Sequence, residues 1–148
     1  MERKYAEFAA TKACELLAID SPSGYTRKAA TWVKEAFEAL GFAAKITTKG
    51  GVLADLGGAD KDDALFLQAH TDTLGAMVAE IKANGRLKLT PLGGLRAENA
   101  ETENVRIHTR TGKIIEGTVQ LCNASVHVNG EYDETKRTFD TVEAVLDE

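Results

Sequence analysis

Cysteine is scarce in this 148-residue chain: only Cys14 and Cys122 occur, far apart in sequence. They form neither a metal-binding pair nor a disulfide framework, so both are expected to be small buried hydrophobes in a reducing compartment. Long apolar runs are missing too. No stretch approaches the roughly 20 residues that a membrane helix requires, so no membrane partner is expected. The N-terminal "MERKYAEFAATKACELLAID" places Glu7, Lys12 and Glu15 where a signal peptide would keep an unbroken apolar core, and a cytoplasmic protein is expected. Net charge is −5, from 18 basic and 23 acidic residues, and no Lys/Arg cluster exceeds a pair. A nucleic-acid footprint is therefore absent. HExxH, G-x-S-x-G and P-loop motifs are also lacking.

What is present reads as two regimes. Residues 2–19 carry Tyr5, Phe8, Ala9, Leu16 and Ile19 at helical spacing. "DSPSGY" (20–25) breaks that pattern with Pro22 and Gly24. A second helix is expected over about 26–40, burying Val33, Ala36, Phe37 and Leu40, with Gly41 as its left-handed cap. Strands are expected at about 42–48 and 52–56 around Lys49-Gly50-Gly51, followed by the polar loop "GADKDD". "ALFLQAH" (64–70) is nearly continuous in apolar residues, the pattern of a strand buried on both faces in an α/β sheet.

Beyond Gly75 the chain alternates as β-strands do. Asn84-Gly85 and Thr111-Gly112 mark hairpin turns, "ASVHVNGEY" (124–132) offers another strand, and no long helix is expected between 76 and 130. This half is expected to be a small β-barrel or sandwich. The tail fits a helix by Phe139, Val142 and Leu146, or a strand by Val142, Ala144 and Leu146.

The chemistry concentrates in "LFLQAHTDTLG" (65–75). On an extended segment residues i and i+2 share a side, so His70 and Asp72 are expected together at the end of a central strand. A neutral imidazole ligates metals, and a carboxylate on its other nitrogen fixes tautomer and ring. From spacing alone, a His beside an Asp at a strand end is more often a hydrogen-bonded structural pair than a metal site. His108 lies on the strand face opposite Val105 and Ile107, and His127 on the face opposite Val126 and Val128, so both read as solvated. Asp55, Asp60, Asp62 and Asp63 read as loop and strand-end groups.

"SPSGY" (21–25), the helix running to "LGF" (40–42), "AHTDTLGAMV" (69–78), "NGRLKLTPLGG" (84–94) and the β-rich stretch after it resemble one family. It is the dinuclear metallo-aminopeptidases known as glutamyl, deblocking or tetrahedral (TET) aminopeptidases, some of whose members have carried a cellulase label. The resemblance implies an open α/β catalytic domain whose N-terminal segment is residues 1–75, and a small all-β, PDZ-like dimerisation insert over 76–148. It implies that His70 is a metal ligand and that Asp72 belongs to the catalytic apparatus by orienting that ligand. It further implies two zinc or cobalt ions, peptide substrates, and homo-oligomers from dimers to dodecamers.

Two departures accompany it. The family often has Glu-Ile-Gly where this chain has Thr73-Leu74-Gly75. Its downstream ligands and general base have no counterpart among these residues. The chain is therefore expected to be the N-terminal part of such an enzyme, inactive alone, and to self-associate. Its tail is expected to return to the catalytic domain as a strand over 141–147. The rival reading is a short non-catalytic self-association or protein-binding module. A glycosidase would need two carboxylates flanking a sugar groove, and no such pair is identifiable.

Overall fold

The computed structural model describes residues 3–60 and 62–147. Glu2, the expected start of the first helix, Lys61 of the expected loop, and Glu148, the expected end of the β-rich region, lie outside them, as does Met1. The chain divides into two compact units, Met1–Leu74 and Gly75–Glu148.

In the first unit, α1 spans Arg3–Leu17 and α2 spans Arg27–Ala39. α1 buries no residue. It is laced instead by surface pairs, Arg3–Glu7 at 2.7 Å and Lys12–Glu15 at 2.8 Å, each contributing a few tenths of a kcal/mol. Lys12 also sits 5.5 Å over the Trp32 ring of α2. The deepest residues of α2 are Ala29 and Ala30. The expected stripe is only half-buried at Val33, Ala36 and Phe37, and Leu40 is exposed. α2 ends as its sequence dictates. Gly41 takes φ +88°, its N–H donates to the Glu38 carbonyl at 2.9 Å, and the Phe42 N–H donates to the Phe37 carbonyl at 3.1 Å. This paired return is the Schellman cap. The hairpin β1 (Ala44–Ile46) and β2 (Val52–Ala54) follows, antiparallel and shorter than expected.

"ALFLQAH" corrects the strand expectation. Residues 64–70 pair with nothing in a ladder, and Leu65, Phe66 and Leu67 are 84%, 70% and 75% exposed. A strand exists only where neighbours accept and donate its backbone bonds. Among the described residues β1 and β2 pair only with each other, so the apolar run joins no sheet of its own unit.

The second unit is one antiparallel sheet in the order β3-β4-β7-β6-β5. Its strands are β3 (Gly75–Ile81), β4 (Leu87–Leu92), β5 (Asn104–His108), β6 (Ile114–Leu121) and β7 (Val142–Leu146), with a single-turn helix α3 (Ala97–Ala100) between β4 and β5. The order runs open, with β3 and β5 each flanked on one side only, rather than closing as a barrel by strand pairing. Both expected hairpins form, and the tail is a strand. β7, last in sequence, lies at the centre between β4 and β6.

Alternation gives the sheet its core face: Leu87 and Leu89, Val119 and Leu121, Val142 and Ala144, joined by Ala97 and Ala100 of α3. Each large member is worth about 1.5–3 kcal/mol by burial. Gly117 on β6 permits the close approach of β7: a Cβ there would lie 2.3 Å from the Val145 carbonyl oxygen.

Three further expectations need correcting. Residues 124–132 are turns, not a strand. The Asn129 side chain donates to the Asn123 carbonyl at 2.9 Å and accepts from the Glu131 N–H at 3.1 Å, and such local bonds compete with ladder formation. His127 is thus exposed in a turn, and His108 is half-buried at the end of β5. Both cysteines are exposed rather than buried: Cys14 because no residue of α1 is buried, Cys122 because it follows the inward-facing Leu121 and starts a turn.

Candidate functional site

The site is built from two segments some 50 residues apart, both in the first unit. Gly24 at φ +88° and the Tyr25 N–H to Pro22 carbonyl bond at 2.8 Å turn the chain after Ser23. This leaves Ser21-Pro22-Ser23 extended beside residues 71–73. Pro22 and Thr73 form a parallel bridge. The Thr73 N–H donates to the Ser21 carbonyl at 2.9 Å, and the Ser21 hydroxyl donates to the Thr71 carbonyl at 3.1 Å. Ser21 is 1% exposed, so this seam is the dry part of the site.

Asp72 stands between those two backbone anchors. Its Oδ2 accepts the Ser23 hydroxyl at 2.5 Å, and its Oδ1 lies 3.1 Å from His70 Nδ1. The Asp72 carbonyl oxygen is 3.0 Å from the same Nδ1. The Ser23 hydroxyl, foremost, holds the Asp72 carboxyl below the usual carboxylate range; desolvation opposes it, and the residue's own backbone bond and His70 add to the lowering. The Asp72 carbonyl oxygen and its ionised carboxylate can only accept, so in the neutral ring Nδ1 carries the proton. The lone pair is then on Nε2, which makes no hydrogen bond among the described residues.

The spacing argument thus brings His70 and Asp72 together, but not where it was expected to. His70 is 86% exposed and follows an unpaired segment, so it does not close a buried central strand. The residues present suit a metal only in part. His70 offers one imidazole nitrogen with the correct tautomer. Among the described residues no group of three His, Cys, Asp or Glu side chains converges, and a catalytic site needs about three protein ligands.

Asp55 and Asp60 are local turn formers, accepting from the Gly57 and Asp62 N–H groups at 2.9 Å. Ser21 and Ser23 were not readable as site residues from spacing, because their partners lie far along the chain. The only available signal was the Ser-Pro-Ser-Gly turn itself.

In the second unit the charged groups serve the fold. Glu143, 2% exposed, receives Lys82 at 2.7 Å and Arg86 at 2.5 Å. Arg137 donates to Glu101 at 2.9 Å and to the Tyr132 and Thr135 carbonyls, tying the 122–141 loop to α3. No described helix is long and apolar enough to cross a membrane.

A family model described as M42 glutamyl aminopeptidase matches residues 50–148. The chain is 39% identical over 134 residues to YhfE of Bacillus subtilis (strain 168), named as a candidate aminopeptidase; the match spans 90% of this chain and 39% of that protein. Among solved structures, an aminopeptidase, APDkam598, from the archaeon Desulfurococcus kamchatkensis superposes with a TM-score of 0.77 at 22% identity, over 90% of this chain and 35% of that one. The dodecamer PhTET1-12s superposes with a TM-score of 0.68 at 18% identity, over 93% and 45%. At these identities the structural likeness carries the mixed α/β fold. The chain spans less than half the length of each of these proteins.

Proposed function

Because the chain belongs to the M42 glutamyl aminopeptidase family, we propose that it is the N-terminal part of a metal-dependent aminopeptidase that removes residues from the N-termini of peptides. The observation that carries this reading is the engagement of His70 Nδ1 by Asp72, at 3.1 Å to Oδ1. That contact leaves Nε2 as the basic nitrogen, the arrangement of a metal-ligating histidine with its orienting carboxylate. His70 would hold one of two divalent ions, zinc or cobalt, and Asp72 would fix its ring.

When bound, such an ion acidifies a water and polarises the scissile carbonyl. This chain's own contribution is to present one ligand in the correct tautomer and to keep the neighbouring carboxylate ionised. The remaining ligands and the general base would come from polypeptide beyond these residues, so the isolated chain would not hydrolyse peptides. Residues 76–148 would be the PDZ-like insert through which copies pair, with larger rings assembled from such dimers, in the cytoplasm.

Zinc or cobalt titration of a longer protein containing this chain tests the reading. His70→Ala should lose at least one equivalent of metal and the release of N-terminal residues. Unchanged stoichiometry in that variant, or metal-stimulated release by residues 1–148 alone, would overturn it.

A second reading, a non-catalytic self-association module, is favoured by the exposed Leu65-Phe66-Leu67 run and by the unpaired outer edges of β3 and β5. The titration separates the two, since a bare association module would bind no metal through His70.

A further inference from the structure

We infer that Ser23 is a positioning residue for the His70–Asp72 pair: its hydroxyl fixes the carboxylate so that Oδ1 meets Nδ1 and the imidazole keeps its Nε2 lone pair. The functional meaning rests on reading His70 as a metal ligand; the geometric effect does not.

A carboxylate with two equivalent oxygens can rotate, and an imidazole as exposed as His70 has little else to hold it. Ser23 removes that freedom by occupying Oδ2 at 2.5 Å, which leaves Oδ1 for the ring. The backbone on both sides of Asp72 is fixed independently. Thr71 is held through its carbonyl by the Ser21 hydroxyl, and Thr73 through its N–H by the Ser21 carbonyl. The Asp72 main chain therefore cannot drift to follow a loosened side chain.

The competition at Nδ1 makes Ser23 consequential. One ring N–H is shared between the Asp72 carbonyl oxygen at 3.0 Å and Oδ1 at 3.1 Å. With the carboxylate pinned, both acceptors act on the same nitrogen and favour the same tautomer. With Ser23 removed, the carboxylate can turn away and only the carbonyl remains. The chain reaches this arrangement by placing "SPS" beside "HTDT", so a serine 49 residues upstream of Asp72 sets the tautomer of a ring that it reaches only through that carboxylate.

Imidazole 15N NMR of the metal-free chain reads the tautomer directly. The parent should show the proton mainly on His70 Nδ1. Ser23→Ala should lower that tautomer ratio roughly threefold, the effect of losing one exposed hydrogen bond, and Ser23→Thr, which keeps a hydroxyl, should restore it. A folded Ser23→Ala protein with the parental ratio, or a folded Ser23→Thr protein without rescue, overturns the inference.

Should Ser23→Ala fail to fold, the parent decides. A Ser23 hydroxyl proton protected from solvent exchange supports the contact, and one exchanging at the solvent rate refutes it. Zinc titration of the longer protein separates this from the metal reading. A tautomer shift in Ser23→Ala, together with zinc binding indifferent to His70→Ala, would leave Ser23 as positioner and sink the metal role.

Discussion

Replacing Glu143 by Gln should destabilise the second unit by about 2 kcal/mol. The carboxylate is 2% exposed on the central strand β7, with Lys82 and Arg86 at 2.7 and 2.5 Å. Removing one member of a fully buried ion pair costs roughly 3–5 kcal/mol. Here both cations keep about a third of their surface in solvent, 28% and 35%, and can rehydrate. The loss is therefore closer to that of one charge-assisted hydrogen bond, about 1.5–3 kcal/mol. For a unit of this size that is a fall of roughly 8–16 °C in Tm.

The pH dependence has a definite sign. Burial pushes the Glu143 carboxyl up, but the bonds from Lys82 and Arg86 outweigh it and hold the group below its ordinary value. Its stabilisation is therefore complete above the unfolded-state value and is lost as pH falls through the lower folded one. The parent should lose stability in acid, and Glu143→Gln should lack that component. Far-UV circular dichroism with urea, from pH 7 down to 3, measures both. Coincident parent and variant midpoints at pH 7, or parallel acid profiles, would refute the reasoning.

Three other outcomes are expected. Gly117→Ala places a Cβ 2.3 Å from the Val145 carbonyl oxygen, a backbone atom that cannot swing away. It should cost at least about 2 kcal/mol by urea denaturation, and an unchanged midpoint would count against the β6–β7 packing. Thr102, a β-branched residue at φ +71°, is strained, so Thr102→Gly should be neutral or stabilising by up to about 1 kcal/mol; clear destabilisation would deny the strain. Phe66→Asp, in the exposed apolar run, should reduce concentration-dependent light scattering, and equal scattering from parent and variant would clear that segment of any part in association.

Much of the fold was readable where the code is local. Gly41 ends α2 because left-handed backbone is cheap only for glycine, and Asn84-Gly85 and Thr111-Gly112 each close a hairpin. Leu87/Leu89, Val119/Leu121 and Val142/Ala144 form the core face because side chains alternate along a strand. The two misread strands fail for a shared reason. "ALFLQAH" and "ASVHVNGEY" have suitable residues, but a ladder needs a partner. The first finds none in its unit, and the second is taken by asparagine and serine bonds within a few residues.

The same division holds at the site. Sequence by itself fixed which residues sit two apart at a chain exit, His70 and Asp72, and the helix stop, the hairpin turns and the inward side of each sheet strand. Those features depend on bonds spanning about five residues or fewer. Three-dimensional folding decided that β7 enters the middle of the sheet, that Glu143 is buried between two cations, and that Ser21 and Ser23 brace Asp72 across some 50 residues. Such pairings are chosen by the whole chain's packing and not by any window of it, which is why spacing could place the imidazole beside its carboxylate but could not find the hydroxyl that holds them.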